Sequence, residues 1–265
     1  MSTARAYDVL APAYDLLTTG YAYGPWLGAI DSLARSYGLR GHRALDVACG
    51  TGKSLEALLD LGYDAIGCDG SAGMADVARD KLAGRAEVFV ADMCSLGVVG
   101  AFDLITCLDD AVNHLPSPAD VASALRGMGA NLASDGLLAF DVNTLSAYRD
   151  TGDRIVEGGD QMVLWHGGPA RLDVPGGRAE VAMDVLHACG DGLWRRERAI
   201  WGHWHYPLTS IPALVCEAGL ELVAVRGQRT AGHLEPDADE DRHPKAVFLA
   251  RRASPEIPSY LSEGR

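Results

Sequence analysis

The chain has 265 residues, 48% of them hydrophobic and 22% charged, with a formal net charge of −13 and an isoelectric point near 4.9. That length suits one large core, or a core domain with an insert, and the acidic balance argues against a nucleic-acid partner, whose phosphates need a basic face. The start Met1-Ser2-Thr3-Ala4-Arg5 leads into an amphipathic stretch, no apolar run approaches the ~18 residues of a membrane span, and the six cysteines stand singly with no C-x-x-C pair, so a reduced cytoplasm is the expected location.

Taken in order, Ala6–Leu17 has apolar residues at helical spacing, and a second helical stretch runs over Pro25–Tyr37. Tyr7-Asp8, Tyr14-Asp15, Tyr21 and Tyr23 crowd this region beyond what plain packing needs. A short apolar run, Arg43–Val47, then breaks into the glycine loop of Leu45-Asp46-Val47-Ala48-Cys49-Gly50-Thr51-Gly52, and a helix-forming segment follows from Lys53. Strand, tight loop and helix in that order present bare backbone and unpaired N–H groups to a small polar ligand. A second strand, Asp64–Cys68, ends at Asp69, and Ser71-Ala72-Gly73-Met74 opens a helix. A third, Glu87–Ala91, leads to Asp92-Met93; a fourth, Phe102–Cys107, leads to Leu108-Asp109-Asp110-Ala111-Val112-Asn113-His114-Leu115. After a helix over Ala119–Leu132 and a turn at Asp135-Gly136 comes a fifth strand, Leu137–Val142. From about 150 to 206, period-two segments joined by glycine turns predict a small antiparallel sheet. A helix (Thr209–Ala218), a strand (Glu221–Val225) and a last strand (Ala246–Ala250) complete the pattern before a polar tail.

The loop's spacing separates its candidate ligands. A phosphate-binding G-x-x-x-x-G-K-[ST] loop needs glycine where Val47 stands, and a dinucleotide G-x-G-x-x-G loop needs glycine where Leu55 stands. What remains is D-x-x-x-G-x-G from Asp46 to Gly52, with Asp69 19 residues after Gly50, placed to accept hydrogen bonds from a ribose diol. Met74 is placed to pack on an adenine face.

These residues resemble motif I and the following strand ends of the class I S-adenosylmethionine-dependent methyltransferases. Within them, the N-terminal tyrosine-rich helices and the Asn113-His114-Leu115 context are similar to small-molecule members such as the amino-sugar N,N-dimethyltransferases. The resemblance covers about residues 1–142 and 207–250. It implies an α/β, Rossmann-like seven-stranded sheet in order 3-2-1-4-5-7-6, with N-terminal helices over residues 1–40 and the sheet domain over 41–149 and 207–252. The antiparallel insert, 150–206, becomes a lid on the substrate side, and 253–265 a tail. It also implies S-adenosylmethionine as cofactor, S-adenosylhomocysteine as product and a cofactor site formed by Tyr14, Asp46, Ala48, Gly50, Gly52, Asp69, Gly70, Met74, Asp92, Met93 and Leu108, with Asp92 accepting from the adenine amino group.

Methyl transfer is an in-line displacement in which alignment carries much of the catalysis. An acceptor amine must be neutral, and a hydroxyl must lose its proton as it attacks. His114 is the first candidate to orient the nucleophile or take that proton. His203 and His205 are further catalytic candidates, since Trp201, His203 and His205 fall on one face of a strand. Tyr23, Asp110, Asp141, His166 and Trp201 are assigned to the substrate. Convergence of His166, His203 and His205 with a carboxylate would be needed for a metal, and no metal site is expected. Asp237-Ala238-Asp239-Glu240-Asp241 begins like a calcium loop, but Arg242 and Phe248 occupy its glycine and glutamate positions, so a solvated hairpin loop is expected. The expectation is a methyltransferase with a small-molecule acceptor, nitrogen preferred over oxygen, without nucleic-acid or membrane partners; a homodimer stays open. A cofactor-binding scaffold and a tRNA or protein methyltransferase are the alternatives.

Overall fold

In the computed structural model, residues 2–149 and 152–253 are described. The first half alternates helix and strand as the patterning predicts: α1 (Thr3–Leu10), α2 (Tyr14–Leu17), α3 (Tyr23–Ser36), β1 (Arg43–Val47), α4 (Lys53–Asp60), β2 (Asp64–Asp69), α5 (Ala72–Leu82), β3 (Val88–Val90), β4 (Phe102–Cys107), α6 (Pro118–Ala130) and β5 (Leu132–Asn143). Ser71 and Ser117 cap α5 and α6, their hydroxyls accepting from the N–H groups of Met74 and Asp120. The short α7 (Leu145–Arg149) leads to β6 (Arg154–Gly158), β7 (Gln161–His166), α8 (Gly167–Ala170), β8 (Arg178–Ala188) and β9 (Trp194–Trp204). The chain ends in α9 (Ile211–Glu217), β10 (Leu220–Thr230), β11 (His233–Pro236) and β12 (Lys245–Arg252).

Eight strands form one sheet in the order β11-β10-β12-β5-β4-β1-β2-β3. Pairs from β3 through β5 are parallel, while β12 runs antiparallel to both β5 and β10. From the β3 edge, the first seven positions are the expected 3-2-1-4-5-7-6. The difference is β11, an eighth edge strand of four residues, too short and too close to Pro236 to declare itself in sequence. At the centre, Leu104, Ile105, Leu138, Ala139 and Phe140 are fully buried or nearly so, because helices cover both faces. The strand order reverses beside β1 and β4, which opens a crevice at their carboxyl ends.

The insert forms its own antiparallel sheet, β6-β7-β8-β9. Alternation gives it an apolar inner face, where Val163, Val181, Met183, Val185, Ala199 and Trp201 pack against Ala6, Leu10 and Ala11 and against Met74 of α5. Burying each Val, Leu or Met side chain contributes about 1.5–3 kcal/mol. Helix α1 is thus fastened between the two sheets. β6 carries little of this signal, because four of its five residues are exposed. Among the described residues no helix is long and apolar enough to cross a membrane.

Candidate active site

The glycine loop leaves β1 through three left-handed residues, Ala48 (φ 58°), Gly50 (φ 54°) and Gly52 (φ 85°). Gly50 N–H donates to the Asp69 carboxylate at 2.9 Å, and Ser71 N–H donates to the same group at 2.8 Å. Asp69 thereby ties the end of β2 to the loop after β1. Around them lies a cavity of about 470 Å³ lined by Ala48, Gly50, Asp69, Gly70, Asp92 and Met93, with Leu108 and Tyr14 closing it from the β4 loop and α2. Its charged walls are Asp69, Asp92, Asp109, Asp120 and Lys53. The Lys53 ammonium is directed away, donating to the Thr18 carbonyl and hydroxyl at 3.0 and 2.8 Å. Such a wall repels phosphate and suits a positively charged ligand.

Both Tyr-Asp pairs have divided roles. Asp8 accepts from Ser71 Oγ and Gly73 N–H, and Asp15 accepts from Thr51 Oγ1 and pairs with Lys81. Their tyrosines line the cavities. The aspartates latch the N-terminal helices onto α5 and the glycine loop; the tyrosines face the two cavities.

Three residues assigned to the cofactor from sequence stand back from this cavity. Asp46 is 1% exposed and accepts from Ser54 Oγ and Thr106 Oγ1, so it braces the loop from behind. Burial pushes its carboxyl up to about 6 against those two hydrogen bonds. Gly52 is needed for its positive φ and because a Cβ there would come within 3.1 Å of Ala78 Cβ. Met74 is fully buried under α1 and the lid rather than on a ligand face.

A second cavity, of about 720 Å³, adjoins the first, and five residues line both: Tyr7, Tyr14, Tyr23, Asp109 and His114. Tyr7 Oη and His114 Nε2 are 3.0 Å apart, and Tyr23 Oη donates to Asp109 at 2.9 Å. Asp110, Trp201 and His203 face the second cavity only. Its walls hold buried polar atoms without hydrogen-bond partners: Trp26 Nε1, His114 Nδ1, Trp201 Nε1, His203 Nε2 and Gln228 Oε1. Buried polar groups are normally satisfied, so this set marks the second cavity as a polar one.

The floor is a strained turn. Asp109 and Asp110 both have positive φ, 61° and 60°. Asp141 accepts from Asp110 N–H, Asn143 Nδ2 donates to Asp110 Oδ2 at 2.6 Å, and Lys245 Nζ bridges Asp109 and Asp141 at 3.1 and 3.0 Å. Burial pushes the His114 imidazole down to about 4 and that of His203 well below its ordinary value. Both rings are therefore neutral near pH 7, which leaves His114 the orienting role of the two considered for it.

Other sequence assignments fall elsewhere. His205 is 2% exposed, 3.0 Å from Glu240, and accepts from Gly176 N–H, so it locks β9 to the β11–β12 loop. Glu240 also accepts from the N–H groups of Leu145 and Leu208, which makes that loop a structural clamp rather than a solvated hairpin. His166 bonds Asp184 on the face of the insert sheet opposite Trp201, because His166 and Ala182 are register partners while Val181 and Trp201 point inward. Asp141 has a fully buried side chain and touches Lys245 rather than a cavity. The three lid and strand histidines do not converge; instead Asp110, His114 and His203 bring one donor atom each within 4.8 Å of one another. Sequence reasoning missed Tyr7, Asp109, Tyr148 and Lys245. The first two lie in motifs already singled out, but nothing local marks Lys245, at the start of β12, as a partner of the β4 loop.

A methyltransferase-domain family model matches residues 44–136, the span that carries β1 to β4 and every loop of the first cavity. Over those residues the chain matches a methyltransferase domain. A putative methyltransferase of Geobacillus sp. (strain WCH70) is 25% identical to it over 93% of this chain and 99% of its own length. An N,N-dimethyltransferase of Streptomyces fradiae acting on dTDP-3-amino-3,6-dideoxy-alpha-D-glucopyranose is 30% identical over 50% of this chain and 52% of its own. The crystal structure of an S-adenosylmethionine-dependent methyltransferase from Clostridium acetobutylicum shares the fold, with TM-score 0.76 and 19% identity over 94% of this chain and 99% of that one. The first cavity, on the glycine loop and the ends of β2 and β3, and the second share Tyr7, Tyr14, Tyr23, Asp109 and His114.

Proposed function

We propose that the enzyme methylates an amine nitrogen on a small, hydroxylated ring such as an amino sugar. The observation that carries this reading is the second cavity, which combines aromatic walls, two carboxylates and several unpaired polar atoms on buried side chains. Aromatic faces suit the C–H side of a saturated ring, and indole and imidazole N–H groups suit its hydroxyls. A carboxylate pair suits a basic nitrogen. The Streptomyces fradiae relative acts on such an acceptor, which supports the reading over an oxygen acceptor.

Asp69 would hold the ribose diol and Asp92 the adenine amino group, with the backbone of Ala48–Gly50 against the amino-acid end. The bound cofactor supplies an activated methyl on a cationic sulfur. The chain's own residues orient the nucleophile at the cavity junction, through Tyr7 and His114, and exclude water with α1 and the insert sheet, residues 150–206. The net charge of −13 disfavours a tRNA acceptor. The test is a panel of amino sugars, matched hydroxy sugars and simple amines incubated with enzyme and cofactor, with product mass recorded. Methylation of amines and not of the matched hydroxy compounds is expected; transfer to hydroxyls alone, or cofactor binding with no transfer to any acceptor, would overturn it.

A further inference from the structure

We propose that Asp110 is the group that takes the proton from the acceptor nitrogen, an assignment that rests on the amine reading above. Three carboxylates, Asp109 in the same turn, Asp110, and Asp141 from β5, share one cation, Lys245 from β12. Lys245 Nζ bonds Asp109 and Asp141, leaving Asp110 the carboxylate without a directly bonded cation. Asp110 faces the second cavity and not the first. Its Oδ2 accepts from Asn143 and lies 3.6 Å from His203 Nε2, so one edge is anchored and the group is held toward the acceptor side. Asp109 and Asp110 are two successive non-glycine residues in the left-handed region, and such strain concentrates at functional sites.

The groups packed around Asp110 do not offer a better base. His114 and His203 (β9) are held neutral with low proton affinity, and Tyr7 (α1), Tyr23 (α3) and Tyr148 (α7) have their hydroxyls pushed far up by burial first. Burial pushes Asp110 up to about 7, Lys245 opposing and Asp109 and Asp141 adding to the rise. That matches the requirement for a base working near neutrality. An acceptor arriving as an ammonium transfers one N–H proton to Asp110 Oδ, giving a neutral amine and a carboxylic acid. The nitrogen lone pair then forms the N–C bond as the methyl–sulfur bond breaks, its electron pair leaving with sulfur. Asp110 later returns its proton to solvent.

The experiment uses the full chain and an amine acceptor from the panel above, with kcat followed over pH about 5 to 9 for the parent and Asp110→Asn, which tolerates the left-handed turn. The parent kcat is expected to rise through a single limb near 7. Asp110→Asn should lower kcat by about 10²–10⁴-fold and abolish that limb, with S-adenosylhomocysteine affinity by calorimetry unchanged. Asp110→Glu should restore a limb at a displaced pH, which a merely structural role would not produce. A variant kcat within about threefold of the parent with the same limb would overturn the assignment while leaving the amine reading standing. So would activity lost to a chelator and regained with zinc, because a metal at Asp110, His114 and His203 would then do the work. A parent enzyme that methylates no amine overturns both.

Discussion

At the residue scale, buried carboxylates do different work according to what faces them. Asp46 sits behind the glycine loop with a raised pKa of about 6, against an unfolded value of ~3.9. Between those values the native state holds a proton that the unfolded chain has lost. Stability therefore falls as pH rises from about 4 to about 6 and is level above, by about 3 kcal/mol for this group alone. Asp46→Asn should remove that contribution: the difference in urea-unfolding free energy between pH about 4 and about 6.5 should shift by that order relative to the parent, and an unchanged difference would refute the raised value. Burial raises the Asp69 carboxyl too, but it lines the first cavity with lone pairs left over after two backbone N–H bonds. Charge-assisted bonds contribute about 1.5–3 kcal/mol, so Asp69→Ala should weaken S-adenosylhomocysteine binding by about 10–100-fold in calorimetry, with circular dichroism to show the fold retained. Undiminished affinity would take Asp69 out of the ribose role. Asp46 and Asp69 look alike in the motif; only Asp69 lines the cavity.

At the element scale, the N-terminal helices are both wall and cover. Their apolar side packs on the insert sheet, while Asp8 and Asp15 latch them to α5 and the glycine loop. Partial burial opposes ionisation of Asp15, but hydrogen bonds from Lys81 and Thr51 outweigh it and hold the carboxyl below its usual range. That latch is present above the unfolded carboxylate value and is lost as pH falls through the lowered one. Because such partly exposed pairs contribute about 0–1 kcal/mol each, Asp8→Ala with Asp15→Ala should leave global stability nearly intact. It should instead raise the hydrogen-exchange rate of residues 3–17 and lower cofactor affinity several-fold. Exchange confined to its parental rate would mean that packing on the lid alone holds these helices. The insert itself was legible as period-two segments, but not its facing: a one-residue difference puts His203 in the cavity and His166 on the outside.

At the scale of the whole molecule, two adjoining cavities imply that cofactor binding completes one wall of the acceptor site. A ligand at a hundred times its Kd stabilises the native state by about 2.7 kcal/mol, or roughly 5–10 °C in Tm for a chain of this size. S-adenosylhomocysteine should produce that rise in a thermal melt, and Asp69→Ala should show far less; no shift in the parent would contradict the cofactor site. The sequence by itself marked strand, glycine loop, helix and terminal carboxylate, because these are local signals read along a few residues; the strand order and the cofactor came with the resemblance those signals carry. The sequence marked His114 as the first catalytic candidate and Asp110 as a substrate residue. Tertiary structure decided which of those groups titrate, since the proton affinity of Asp110 depends on Asp141 and Lys245 brought in from β5 and β12. It also decided which histidines line the second cavity. Those pairings follow from strand order and register across more than a hundred residues, and no local spacing encodes them.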